Sequence, residues 1–418
     1  MTSLSQHLIG FKYRESVDLV NFNSPSKQTL VEHVEIDGKK FPKYVNEFWT
    51  SKQRKACALH EVSYRACFKA QLPNFFINLL THKGNIVYDP FSGRGTTGIE
   101  AGLMGRNVIL NDVSPLSEIL SQPRFFVPEL SSIEERLCAI SINAEAKADL
   151  DLSMFYHKKT EAEIVSIKDY LKNRKDKNEE DLVDKWIRMV ATNRLTGHSP
   201  GFFSVYTLPP NQALLPERQI KINKERNQKP EYRDTRKLIL KKTRSLIKGI
   251  TNDQKKNLSN AGQKAVFLCK DARETNEIAS ESVQLTVTSP PFLDIVQYST
   301  DNWLRCWFNS LNAKEIEEKI TMSKTIKNWG KVMGEVFLEL FRITKKDGWV
   351  AFEVGEIRKG ALKLEETIVP LGLKAGFDCE GILINSQKFT KTSNIWGINN
   401  MDLGTNTNRI VLFKKQVS

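Results

Sequence analysis

Residues 85–112 constrain the chain more than any other segment. Asn85-Ile-Val-Tyr-Asp89 is a short apolar run ending in an acid, and Phe91-Ser-Gly93-Arg-Gly95-Thr-Thr97 is a turn built around two glycines. Gly98-Ile-Glu-Ala-Gly-Leu-Met-Gly105 has helical spacing, and Val108-Ile-Leu-Asn-Asp112 is a second apolar run that again ends in an acid. Strand, glycine turn, helix, strand and acid open a nucleotide-binding parallel sheet, in which ligands lie beyond the carboxyl ends of the strands. Gly93 and Gly95 let backbone approach a ligand. Asp112 stands 23 residues after Asp89, close to the spacing at which an acid takes ribose hydroxyls. A dinucleotide site is one competing reading, and a β-α-β unit that binds nothing is the other. The spacing Gly93-x-Gly95-x-x-Gly98 meets the dinucleotide fingerprint, so this segment alone leaves that reading open.

A second strand stops as abruptly. Gln284-Leu-Thr-Val287 runs into Thr288-Ser289-Pro290-Pro291-Phe292. Each proline removes an amide N–H and fixes φ, which ends the strand and leaves carbonyls without ladder partners. Ser289 Oγ and the Pro290 carbonyl are acceptors suited to an NH2 group, and Phe292 offers a face to a flat ring. Alone, two prolines after a strand more often mark an ordinary loop.

Together, Asp89-Pro-Phe-Ser-Gly-Arg-Gly-Thr-Thr97 and Thr288-Ser-Pro-Pro-Phe292 resemble the motifs of the S-adenosylmethionine-dependent DNA amino-methyltransferases. Serine instead of aspartate before Pro-Pro is typical of their cytosine-N4 branch. Tyr64-Arg-Ala-Cys-Phe-Lys-Ala-Gln-Leu-Pro73 resembles the helix that helps cover the cofactor there. Lys391-Thr-Ser-Asn-Ile-Trp-Gly397 with Gly404-Thr-Asn-Thr-Asn-Arg-Ile-Val411 resembles the C-terminal hairpin of methyltransferases paired with type II restriction endonucleases. The resemblance implies a Rossmann-like α/β fold, with a mostly parallel seven-stranded sheet ending in an antiparallel hairpin. It implies S-adenosylmethionine bound by Asp89, Phe91, Gly93, Gly95, Thr96, Asp112 and Asp271, the last at the adenine ring. The plain alternative for Asp271 is a helix N-cap. Ser289, Pro290, Pro291 and Phe292 become the catalytic residues, and double-stranded DNA of a restriction-modification system becomes the substrate.

The expected chemistry is direct attack. A cytosine flips out of the duplex, because its N4 is otherwise buried in pairing. Phe292 stacks on it, while Ser289 Oγ and the Pro290 carbonyl hold the amino hydrogens and aim the lone pair at the sulfonium methyl. The sequence offers no strong general base, so the proton is expected to leave to solvent. Adenine-N6 methylation is the nearest rival. RNA guanine-N2 methylation lacks a candidate N-terminal RNA-capturing domain, and the remaining rival is a non-catalytic DNA-binding relic. Cytosine-C5 methylation needs a Pro-Cys pair, which is absent. The six cysteines are scattered, with no Cys-x-x-Cys, so they read as free thiols without a metal.

There is no run of 18 apolar residues and no basic leader before an apolar stretch, so a cytoplasmic protein of a bacterial or archaeal cell is expected, with no membrane partner. Net charge is +13, and it is concentrated: Arg218 to Lys264 holds fifteen Lys or Arg against four acids. Lys221, Lys224, Arg226, Arg233, Arg236, Lys237, Lys241, Lys242 and Arg244 are the candidate phosphate contacts. A solvated basic helix is the alternative. Asn193 to Tyr206, with its aromatics and hydroxyls, suits base-edge contacts. The expected division is an N-terminal extension (1–54), a cofactor half (55–125), an inserted, largely helical recognition region (126–262) and a catalytic half (263–418); the oligomeric state is left open, and a monomer on DNA is compatible with it. Lys172 to Asp181 reads as an exposed charged link. The insertion falls before the third strand, whereas the arrangements this motif order resembles place it after.

Overall fold

The computed structural model describes residues 4–12, 28–49, 56–65, 67–208, 213–291, 297–320, 325–354, 356–357, 362–386 and 407–416. Its strands are β1 (Leu30–Ile36), β2 (Lys39–Asn46), β3 (Ile86–Asp89), β4 (Asn107–Asn111), β5 (Val266–Leu268), β6 (Val283–Thr288) and β7 (Thr344–Val354). A short ribbon of β8 (Glu356–Ile357) and β9 (Leu362–Lys363) precedes β10 (Asp378–Ser386) and β11 (Thr407–Lys414). The main sheet has the order β1-β2-β10-β11-β7-β6-β3-β4-β5. Neighbours from β7 to β5 are parallel, and β11 lies antiparallel between β7 and β10. These seven strands, β10 to β5, are the Rossmann-like methyltransferase arrangement that the sequence implies. From β3 the chain winds one way through β4 and β5 and the other way through β6 and β7. A crevice therefore opens at the carboxyl ends of β3 and β6, where both motifs lie.

Two further strands extend the seven. Asp37 and Gly38 have φ of 49° and 74°, the two-residue turn whose twist suits a hairpin, and β1 pairs antiparallel with β2 across it. β2 then runs parallel to β10. The extension expected at 1–54 is thus part of the sheet, and the Asp-Gly pair between apolar runs is the sequence signal for it.

The helices are α1 (Leu4–Ile9), α2 (Gln71–Leu80), α3 (Thr96–Leu103), α4 (Pro115–Ser121), α5 (Leu130–Ala139), α6 (Lys158–Asp176) and α7 (Leu182–Arg194). Then come α8 (Pro216–Glu225), α9 (Thr235–Ile247), α10 (Asn252–Lys264), α11 (Tyr298–Phe308), α12 (Ala313–Lys319), α13 (Ile326–Ile343) and α14 (Glu365–Ala375). Alternating strand residues feed two cores, as the period of two requires. Leu285, Val287, Ala351 and Leu412 point to one with Phe76, Ile99 and Trp186. Val350, Phe352, Val411 and Phe413 point to the other, where α13 lays down a stripe of Trp329, Met333, Val336, Phe337, Leu340 and Ile343.

The insertion is largely helical, and it shares the first core instead of standing apart. Trp186, Ile239, Leu246 and Leu258 are all buried there, and Trp186 Nε1 donates to Thr243 Oγ1 at 3.0 Å. α10 packs on α3 so closely that a Cβ on Gly102 would lie 3.1 Å from Leu258. It completes the crossover between parallel β4 and β5, so residues 252–262 serve the sheet. The expected link at Lys172 to Asp181 is different in kind: α6 runs through Asp176, and Arg174 and Arg136 converge on the buried Asp184. Helix α2 begins only at Gln71, which leaves residues 64, 65 and 67–70 as a non-helical strap.

Candidate active site at the strand ends

Asp89 ends β3 beside Thr288 at the end of β6. Thr288 Oγ1 donates to Asp89 Oδ1 at 2.6 Å, and the Phe91 amide donates to the same oxygen at 3.1 Å. Thr97 Oγ1, in the first turn of α3, reaches across to the Val287 carbonyl at 3.1 Å. The two motifs are therefore stitched together. Asp89 Oδ2 is buried and has no hydrogen-bond partner, and burial raises the carboxyl pKa to about 7.

The glycine turn is fixed by backbone demands. Gly93 and Gly95 have φ of 51° and 74°, and a Cβ on Gly95 would come within 2.5 Å of Ser121 Cβ. Two arginines lock the turn from behind. Arg94 donates to the carbonyls of His60, Val62 and Phe68, and the fully buried Arg124 donates to those of Leu59, Leu120 and Arg94. Desolvation lowers the Arg124 pKa to about 9. Asp112 lies one residue beyond β4 and accepts from the Gly93 amide at 2.8 Å and the Ser114 amide at 2.9 Å. Its pKa is raised by burial. Each of its oxygens keeps acceptor capacity, since an ionised carboxylate has about four lone-pair sites. Asn111 ties the turn to the strand end of β5 through the Pro90 and Lys270 carbonyls.

One pocket is lined by Asp89, Phe91, Gly93, Thr96, Asp112, Asp271, Ser289, Pro290 and Pro291, with the strap residues Tyr64, Arg65 and Phe68 and the α13 residues Met333 and Val336 on its walls. Gly95 turns behind that lining. Asp271 is at the rim, and its charge is already engaged: Arg273 grips both carboxylate oxygens and holds the pKa below the usual range. No helix follows it, so the N-cap alternative reduces to a turn in which Asp271 accepts the Arg273 amide at 2.9 Å. Phe292 lies outside the described residues, as do residues 391–397 and 404–406. Trp329 Nε1 donates to the Pro291 carbonyl at 2.9 Å and fixes the Pro-Pro turn on α13.

Sequence reasoning missed Glu353. Thr288 pairs with Phe352 across β6 and β7, which sets Ser289 beside Glu353, and the two side chains hydrogen-bond. Asn408 donates to the same carboxyl, whose pKa desolvation raises to about 7. A lone Glu inside Trp349-Val-Ala-Phe-Glu-Val354 is its only trace in the sequence. The far wall is tied down by α11: Tyr298 bonds Ser114, and Asp301 takes two bonds from Arg65, at 2.6 and 2.9 Å.

The candidate phosphate contacts fall into two groups. Lys221, Lys224, Lys237, Lys241 and Arg244 are exposed. The others have partners within the free protein. Arg233 donates to the carbonyls of Ser199, Phe202 and Ser204, Arg236 to that of Ile140, and Lys242 is paired with Glu61 at 3.0 Å. Arg226 is exposed yet stacks on Tyr206 at 3.9 Å. Arg226 and Arg233 thus brace the loop from Asn193 to Tyr206. Among the described residues, no group of three or more His, Cys, Asp or Glu is arranged for a metal, and no helix is long and apolar enough to cross a membrane.

Residues 11–119 match the DNA methylase family of the N6/N4 type, a span from the N-terminal hairpin through Asp112. A segment of 102 residues is 30% identical to the type II methyltransferase M.BsoBI of Geobacillus stearothermophilus, covering 24% of this chain and only 19% of that relative. Among solved structures, a Thermus thermophilus protein named as a DNA modification methylase, in complex with S-adenosyl-L-methionine, is 23% identical over 35% of this chain and 54% of its own, with a TM-score of 0.23. A TehB-like SAM-dependent methyltransferase of Corynebacterium glutamicum covers 84% of this chain and 89% of its own at 7% identity and a TM-score of 0.29. The likeness to DNA methylases holds over the segment with Asp89 and Asp112. It does not separate cytosine-N4 from adenine-N6 enzymes.

Proposed function

We propose that this chain methylates an exocyclic amino nitrogen of a base in duplex DNA, using S-adenosylmethionine, and that the base is cytosine. One observation carries the reading: Asp89 and Ser289 stand at the ends of adjacent parallel strands, joined through Thr288, and line one pocket with Asp112. The residues suit the cofactor. Asp89 Oδ2, buried and unpartnered, is an acceptor waiting for a cationic amino group, and Asp112 has lone pairs left for ribose hydroxyls. The cofactor, when bound, supplies an electrophilic sulfonium methyl.

The chain's own residues do the rest. Ser289 Oγ accepts one amino hydrogen of the target while its own hydrogen goes to Glu353. That orientation localises the nitrogen lone pair toward the pocket. It also gives the proton released after transfer a path through Ser289 to a carboxylate titrating at about 7, where the sequence alone leaves it to solvent. Phe292 is assigned to stacking on the base, and Lys221, Lys224, Lys237, Lys241 and Arg244 to the phosphate backbone. Serine at position 289 is the reason for choosing cytosine over adenine.

Incubation of plasmid DNA and, in parallel, of transfer RNA with the protein and isotopically labelled S-adenosylmethionine, followed by nucleoside analysis, tests this. Labelled N4-methylcytosine is the expected product. N6-methyladenine would keep the chemistry and change the base, and label in transfer RNA alone would overturn the DNA reading. A restriction endonuclease encoded beside this chain is the expected partner activity.

A further inference from the structure

Lys242 on α9 and Arg194 at the end of α7 are cations that the fold desolvates without giving each an anion. Lys242 is 11% exposed, and its Nζ lies 3.0 Å from Glu61 Oε2; Ser245 Oγ approaches the same oxygen at 3.4 Å. Arg194 is 8% exposed, and its guanidinium carbon lies over the Phe202 ring, 3.8 Å from the centroid. Its hydrogen bonds use Nε and Nη2, both to Asn193, so Nη1 is left for an incoming oxygen. Arg194 and Lys242 are close enough to repel. Burial, with this repulsion, lowers the Lys242 pKa, and burial lowers that of Arg194 to about 10. Glu61 pairs directly with Lys242 and attracts Arg194 only from beyond ion-pair distance, and at 59% exposed it is free to swing outward.

Lys242 and Ser245 gather on one exposed carboxylate, and Arg194, a second desolvated cation, acts on the same charge from further off, which makes an anion site with positive charge to spare. A phosphodiester offers two non-bridging oxygens to charge-assisted donors, and a stacked guanidinium presents its edge in the geometry that phosphate recognition uses. We propose that Arg194, Lys242 and Ser245 form a seat for one backbone phosphate of duplex DNA, with the Glu61 carboxylate as its placeholder in the free protein. This rests on the reading of the chain as a DNA-modifying enzyme. The seat adjoins the catalytic pocket along the chain: Glu61 lies three residues before the strap residues Tyr64 and Arg65 that line it, and the Ser63 carbonyl between them accepts from Asn193 at 3.0 Å and Arg305 at 3.1 Å.

The test is titration of a mixed-sequence duplex with the full chain at several salt concentrations, for wild type, Glu61→Gln, Lys242→Gln and the double variant. Glu61→Gln, at an exposed site, is expected to bind several-fold tighter. Lys242→Gln is expected to bind more weakly, with the slope of log affinity against log salt reduced by about 0.9, the share of one phosphate. In the Lys242→Gln background, Glu61→Gln should gain little. Unchanged DNA affinity in both single variants, with a lowered melting temperature, would make the pair a structural ion pair and overturn the seat. Weaker binding by Glu61→Gln would also overturn it. Inorganic phosphate protecting the wild type from thermal unfolding as well as duplex does would reassign the seat to a free anion. Absence of duplex binding by the wild type would overturn the proposed function along with the seat, a result distinct from binding that the variants leave untouched.

Discussion

The crevice at the ends of β3 and β6 and the basic helices α8 and α9 are both dense in charge, and they hold it in opposite ways. In the crevice, Asp89 and Asp112 are fixed by backbone amides and a threonine hydroxyl, and their burial pushes both pKa values up. Their positions follow from turn geometry that only a few residue types permit. Along α8 and α9, neighbours in the same basic run have unrelated fates: Lys241 is exposed and Lys242 is paired with Glu61, while Arg233 holds three carbonyls and Lys237 faces water beside Asp234. Charge in a motif has a place, whereas charge in a run acquires one only from what packs against it.

The contrast is sharpest at Glu353. Glu353→Gln is expected to lower the methylation rate by about 10²-fold or more, in the range of general-base loss, with cofactor affinity unchanged. The wild-type rate should rise with pH through about 7, as Glu353 ionises, and the variant should lose that limb. Adding Ser289→Ala should cost little more, because the two act as one unit. A Glu353→Gln enzyme of full activity would return the proton to solvent and strip the crevice of its base.

Next in size is Asp112→Ala. It removes the acceptor assigned to ribose hydroxyls, and a charged hydrogen bond is worth about 1.5–3 kcal/mol, so the cofactor dissociation constant should rise about 10- to 100-fold by calorimetry. An unchanged constant would leave Asp112 as a brace for Gly93 and Ser114 alone.

Asp89 gives a pH signature. Its folded pKa of about 7 exceeds the ordinary 3.8, so between those values the native state binds the extra proton and stability declines as pH rises. Asp89→Asn should therefore gain in relative stability up to about pH 7. A cationic amino group prefers the ionised carboxylate, so wild-type affinity for the cofactor should fall about tenfold per unit of pH below 7. The Asn variant should bind more weakly and be nearly flat with pH. A flat wild-type profile would mean that Asp89 never meets the cofactor's charge.

The smallest effect separates the two kinds of cation. Replacing exposed Lys237 and Lys241 by Gln should reduce the salt slope of DNA binding by about 0.9 for each phosphate that they neutralise and leave the melting temperature nearly unchanged. Arg233→Gln should do the reverse, since its donors go to the Ser199, Phe202 and Ser204 carbonyls. Equal salt slopes in all three proteins would confine phosphate binding to other parts of the surface.

The strands and the pocket are legible because their signals are local. The run from Gln284 to Thr288 lies within β6, and Asp89, Asp112, Ser289 and Pro290 line one pocket. Glu353 is hidden because its importance depends on register between β6 and β7, which no single segment encodes. In sequence Arg94 and Arg124 look like ordinary cations, and their carbonyl partners lie up to 65 residues away. The helix α10 reads as part of the recognition region because a crossover helix and a basic surface helix share one periodicity. The N-terminal hairpin, by contrast, is signalled by Asp37-Gly38, which the expected division at 1–54 does not use.

That hairpin also decides how the sheet ends. Without it, β10 would present a bare row of amides and carbonyls, a template on which another chain could add a strand. With it, the outermost strand is β1, whose outward residues include Glu32, His33 and Glu35, and whose partner β2 carries Pro42. Asn385 in β10 completes the attachment by bonding the backbone of Phe48 and Trp49. The opposite edge, β5, is three residues long. The N-terminal strands thus act as a guard against self-association, and a protein shortened to begin at the cofactor-binding segment would trade a tidy boundary for a strong tendency to aggregate.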